Sequence, residues 1–92
     1  MALSVYFAPD SLTPDQYDEA IARLDAAGQS APAGRLYHCA ITADNDCICV
    51  FDVWESREAF AAFGETLMPI LADLGVHPGP PSIHEVRNTI VG

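Results

Sequence analysis

The chain has no lysine, and its four arginines stand against 13 acidic residues in 92, a net charge of -9. Without lysine there is no side-chain amine for Schiff-base chemistry or for anchoring pyridoxal phosphate. Without a basic face nothing can neutralise a phosphate backbone or hold an anionic membrane, so no nucleic-acid or membrane partner is expected. Long apolar runs are missing as well: none approaches the roughly 18 residues a bilayer span needs. The opening segment, MALSVYFAPDSLTP, lacks the basic-then-apolar layout of a secretory signal, and a cytoplasmic protein is expected. Cysteine is scarce. Cys39, Cys47 and Cys49 are odd in number and lack CxxC spacing, which predicts reduced thiols rather than a disulfide framework. No GxGxxG, P-loop or GxSxG motif occurs, so nucleotide binding and nucleophile-elbow hydrolysis have no support, and no cofactor is expected.

What is present is a folded chain, 50% hydrophobic and 18% charged. Its length suits a single domain over residues 1–92 that buries about two-thirds of its unfolded surface, a margin a partner subunit would widen. Leu3 to Phe7 reads as a strand ended by Pro9 and Asp10. Thr13, Pro14 and Gln16 form a helix start with a capping box, and Tyr17, Ala20, Ile21, Leu24 and Ala27 recur as one apolar stripe as far as Gly28. Arg35 to Thr42 and Cys47 to Trp54 are strand-like runs around the turn residues Ala43 to Asp46. Ser56 caps a second helix that runs to Gly75, with Gly64 and Pro69 predicting a kink or two shorter helices. Ile83 to Val91 reads as the last strand. The order strand, helix, strand, strand, helix, strand predicts an α+β, ferredoxin-like βαββαβ fold: a four-stranded antiparallel sheet with both helices on one face.

Both faces of the central strands call for burial. CICVFDVW carries a single charge and LYHCAI only a histidine, whereas a sheet wet on one side alternates apolar with polar residues. A four-residue turn over 43–46 sets Thr42 opposite Cys47 and His38 opposite Phe51. In that register Leu36, His38, Ala40, Cys49, Phe51 and Val53 share one face, and Tyr37, Cys39, Ile41, Ile48, Val50, Asp52 and Trp54 the other. Two helices cover one face, so a homodimer packed sheet to sheet is expected to cover the other.

The run from His38 through Val53-Trp54-Glu55-Ser56, Phe60, Phe63, Leu67, Pro69 and Leu71 to Asn88 resembles small members of the dimeric α+β barrel superfamily around the antibiotic-biosynthesis monooxygenase domain. The likeness covers nearly the whole chain, and the WES step from strand to helix is its sharpest part. It implies a dimeric α+β barrel, with relatives that include cofactor-free monooxygenases of polyketide-like aromatics, haem-degrading enzymes and isomerases. The haem-degrading pattern pairs a tryptophan such as Trp54 with an asparagine on the first strand and a histidine ten residues on. Here Leu3 to Phe7 has no asparagine and the later position is Gly64, which leaves iron without an evident ligand.

His38 and Asp52 are the candidate catalytic residues, since each sits in an apolar strand and each can accept a proton. The plainer alternative for both is a satisfied core hydrogen bond, Asp52 being opposite Tyr37 and diagonal to Arg35 in the inferred register. His38 with the three cysteines does not make a zinc site, because Cys39 points away and Cys47 lies about 13 Å along the strand at ~3.3 Å per residue. His84-Glu85 likewise lacks the second histidine of a zincin motif, residue 88 being Asn88. Tyr6, Tyr37, Trp54, Phe63, Leu67 and Met68 are expected to line or gate a pocket for a small apolar or aromatic ligand, opened where Gly64 and Pro69 bend the second helix. The expected activity is that of a cofactor-free monooxygenase or isomerase on a small aromatic or polyketide-like compound; the alternative is a non-catalytic dimeric binding or structural module.

Overall fold

Side-chain caps set where the helices begin. In the computed structural model, which describes residues 2–92, Thr13 Oγ1 accepts from the Gln16 amide while the Gln16 side chain accepts from the Thr13 amide. This capping box opens helix α1 (Pro14–Ala26). Ser56 Oγ accepts from the Ala59 amide and opens α2 (Arg57–Asp73). The strands are β1 (Leu3–Phe7), β2 (Arg35–Thr42), β3 (Ile48–Trp54) and β4 (Ser82–Glu85), in the order β2-β3-β1-β4 with every neighbouring pair antiparallel. The fold is therefore α+β and ferredoxin-like, as the order of elements predicts. The helices are tied together at one end, where the Gln16 side-chain amide donates to the Leu74 carbonyl.

Two expectations about the elements need correction. Gly64 and Pro69 do not divide α2, which runs as one helix of 17 residues. Pro69 sits on its exposed side, where the missing amide leaves the Glu65 carbonyl to water. The last strand stops at Glu85 rather than Val91, because β1 begins at Leu3, directly opposite Glu85. One more bond, from the Val86 amide to the Ala2 carbonyl, closes the ladder, and Ile90 and Val91 extend beyond it exposed.

The hairpin register also differs, by one residue. The Ala43 amide donates to the Cys47 carbonyl and the Asp46 amide to the Ala43 carbonyl, while Asp46 takes a positive φ of 63°. The loop is thus one residue longer than a turn confined to 43–46, a tight turn followed by a left-handed residue. Thr42 pairs with Ile48, and His38 with Asp52 instead of Phe51. A bulge at Leu36 takes up the extra residue, so that Arg35 again meets Trp54.

This shift re-sorts the faces. Leu3, Val5, Phe7, His38, Val50, Asp52 and Trp54 stand on the helix side, while Tyr6, Tyr37, Cys39, Ile41, Cys49, Phe51 and Val53 stand on the other. Under the helices the core gathers as Leu12, Ala20, Ile48, Leu71 and Val76 toward one end, and Val5, Leu24, Trp54 and Phe63 toward the other.

Candidate functional site

Asp52 lies mid-strand in β3, flanked by Val5 of β1 and His38 of β2, and is 5% exposed. A carboxylate so buried needs donors to replace its water. It has two. His38 Nδ1 lies 2.5 Å from Oδ1, and the Trp54 indole donates to Oδ2 at 3.3 Å. The indole N–H can only donate, so Oδ2 accepts; with Asp52 ionised, Oδ1 accepts as well and the His38 proton lies on Nδ1. His38 Nε2 is then left as an acceptor, filled by the Tyr17 hydroxyl at 2.7 Å. The Tyr17 and His38 rings lie within 2° of parallel. The result is one continuous hydrogen-bonded chain, Tyr17–His38–Asp52–Trp54, with no buried side-chain N or O lacking a partner among the described residues.

The chain forms part of the wall of a cleft between the sheet and the helices. Phe7, Leu24, Phe60, Phe63, Leu67 and Leu71 supply apolar surface, and Arg35, Tyr17, His38 and Asp52 supply the polar groups. The cleft leaves about 70 Å³ to the centres of water-sized molecules, and about 680 Å³ when all the space between its atoms and its open mouth is counted. Burial, with the negative charge of Asp52 second, pushes the Tyr17 phenol above its ordinary value, while the Arg35 guanidinium draws it back. Tyr17 therefore carries its proton at neutral pH.

The structure brings His38 and Asp52, expected on opposite faces, into direct contact, because the longer hairpin loop moves His38 opposite Asp52. Phe63 and Leu67 line the cleft. Trp54 lies beneath it, fully buried against Phe60 and Phe63, and reaches the site through Asp52. Tyr6 and Tyr37 stand on the far side of the sheet, since the pleat sends alternate residues to opposite faces, and Met68 points to solvent from α2. Gly64 does not make the room either, as a Cβ built there meets nothing within 4 Å and the residue is not on the cleft wall. Tyr17 is the group that sequence reasoning missed. Its one signal is a phenol on the sheet-facing stripe of α1, where a buried hydroxyl needs a partner. Among the described residues, no three His, Cys, Asp or Glu side chains gather as a metal site.

No family model matches the chain, and no curated protein matches it by sequence. Solved structures do match. SnoaB, a cofactor-independent oxygenase from Streptomyces nogalater, superposes with a TM-score of 0.63 at 20% identity, over 97% of this chain and 94% of that one. A monooxygenase from the ActVA-Orf6 gene of Streptomyces coelicolor, solved with nanaomycin D, gives 0.57 at 19% identity over 99% and 90%. A Chloroflexus aurantiacus protein assigned to the antibiotic-biosynthesis monooxygenases gives 0.58 at 23% identity over 99% and 97%. The chain shares its fold with these proteins. At these identities the fold is what is shared, and chemistry must be argued from the site. Within this shared fold, the cleft and its hydrogen-bonded chain lie between the sheet and the two helices.

Proposed function

We propose that the protein is a cofactor-independent oxygenase or isomerase that takes a proton from a small aromatic, polyketide-like compound held in the cleft. The observation that carries this reading is the His38–Asp52 pair set in a largely apolar wall. Imidazole backed by a carboxylate is a competent proton acceptor near neutral pH, and its apolar surroundings suit a flat ligand. Removing a proton from an electron-rich ring system leaves an anion. In the oxygenase reading that anion is oxidised by dioxygen, a ring CH2 becoming C=O with one oxygen atom retained and the other released as water. In the isomerase reading the proton returns to a different carbon.

The working form in this proposal is a homodimer. Leu36, Tyr37 and Ile41 are 60%, 56% and 45% exposed on or beside the outer sheet face, and Tyr6 and Phe51 join them there. Among the described residues, no acidic or arginine side chain stands on that face of the strands, although the chain carries a net charge of -9. A second copy is the occupant that fits, since two equally acidic molecules can approach closely only through a face without charge. Three free thiols fit a reducing, cytoplasmic setting, and no helix is long and apolar enough among the described residues to cross a membrane.

The test is dioxygen uptake, and product analysis by mass, with a panel of anthrones and hydroxynaphthalenes in chelator-treated buffer. Turnover is expected from the wild type, falling by about 100-fold or more in His38→Gln and Asp52→Asn. No turnover of any panel member, or variants as active as wild type, would overturn the reading. The small space left free in the cleft favours a second one, a non-catalytic dimeric module, which saturable binding without turnover would select.

A further inference from the structure

Both nitrogens of the candidate base are already engaged. His38 Nδ1 is held by Asp52 and Nε2 by the Tyr17 hydroxyl. An imidazole nitrogen offers one lone pair, so a substrate cannot approach Nε2 while Tyr17 is in place. The Tyr17 oxygen is different. It spends its proton on His38 and keeps a lone pair free, on a side chain that is half-buried and part of the cleft wall.

We infer that Tyr17, rather than His38, is the group that meets the substrate, and that His38 receives the proton through the Tyr17 hydroxyl. This rests on the proton-abstraction reading above and adds to it the atom at which abstraction occurs. The substrate X–H bond breaks and its electron pair stays on X, while a new O–H bond forms at Tyr17. The former Tyr17 O–H bond breaks as an N–H bond forms at His38 Nε2. The products are a substrate anion, a neutral Tyr17 and an imidazolium beside the Asp52 carboxylate.

Two further facts favour a relay over a standing phenolate. Burial and Asp52 both disfavour negative charge on the Tyr17 oxygen, so its own proton must leave as the substrate proton arrives. The near-parallel Tyr17 and His38 rings and the 2.7 Å separation hold donor and acceptor at transfer distance without rearrangement. Asp52 stabilises the imidazolium once formed, and the Trp54 indole holds Oδ2 so that Oδ1 stays directed at Nδ1.

The experiment uses 1-naphthol and 1-methoxynaphthalene, which share a ring system but differ in having a hydroxyl proton to donate. Binding is followed through the indole N–H resonance of the single tryptophan, Trp54, and the 1-naphthol complex is crystallised. The expected result is a preference for 1-naphthol of roughly fivefold, with its oxygen within hydrogen-bond distance of Tyr17 Oη and the Tyr17–His38 bond intact. A naphthol oxygen on His38 Nε2 with Tyr17 displaced would overturn the inference, as would equal affinity for the two probes. Naphthol seated on Tyr17 in a protein that turns over no panel compound would instead remove the proposed activity and leave Tyr17 as the ligand-contacting group. Failure of both probes to bind would remove both.

Discussion

The two faces of one sheet have nearly the same apolar content and opposite treatments of it. On the helix side every buried polar side-chain atom among the described residues has a partner, and Asp52 is held by donors from β2 and β3. On the outer side Tyr37 and Phe51 form an edge-on aromatic pair in the open, with Leu36 and Ile41 exposed nearby. The two faces take their cover from different sources. Helices α1 and α2 close the inner face and leave a cleft beside a hydrogen-bonded chain, while the outer face has apolar area that, among the described residues, no element of the same chain buries.

The largest expected effect comes from charging the outer face. Native mass should be about 20 kDa, twice the 9.9 kDa chain, and Phe51→Asp should weaken association by about 1000-fold or more, since the two-fold axis buries the new charge twice. Sedimentation equilibrium at micromolar concentration checks both values. A wild-type mass of one chain would remove the dimer and leave the outer face open to solvent.

An intermediate effect is expected inside. Asp52→Ala leaves His38 Nδ1 and the Trp54 indole without their acceptor, and should cost about 2–4 kcal/mol in urea unfolding. Because the site lies on the opposite side of the sheet from the proposed interface, dimer mass should not change. A cost below about 0.5 kcal/mol, in the range of an ordinary surface substitution, would show that the inner face is held by apolar packing alone.

The smallest effect is expected from tyrosine ionisation on the two faces. Tyr6 on the outer face is raised first by its hydrogen bond with Cys49, and Tyr17 on the inner face first by burial. A folded-state value above the unfolded one stabilises fully below about pH 10, the unfolded value, and is lost as pH rises through the folded value. Stability should therefore decline above pH 10 in the wild type and decline less steeply in Tyr17→Phe, with no ionisation effect at pH 7. Urea midpoints between pH 8 and 11 measure the two slopes, and parallel slopes would show that Tyr17 titrates like an exposed phenol.

Much of the scaffold was legible because it depends on local chemistry. Thr13, Pro14 and Gln16 satisfy a helix start among themselves, and Ser56 does the same for α2. Apolar runs bounded by turn residues mark β1, β2 and β3 whatever they later pack against. The division into two helices allowed for at Pro69 does not occur, for a tertiary reason: Phe63, Leu67, Ile70 and Leu71, before and after it, belong to the core and carry the helix across one missing bond.

The sequence by itself determined the order of elements, the acidic and lysine-free surface, the apolar character of both sheet faces, and the presence of one histidine and one aspartate in the central strands. Only the tertiary structure decided that these two meet. A side-chain period of two makes strand register unforgiving, and the left-handed Asp46 adds one residue to the hairpin loop, which exchanges every cross-strand neighbour of His38. Tyr17 lies 21 positions from His38 in the chain, and only the seating of α1 on the sheet brings its hydroxyl to Nε2. Local propensity specifies elements within a few residues. A hydrogen-bonded chain spanning three of them depends on register and packing, which are settled when the whole core closes.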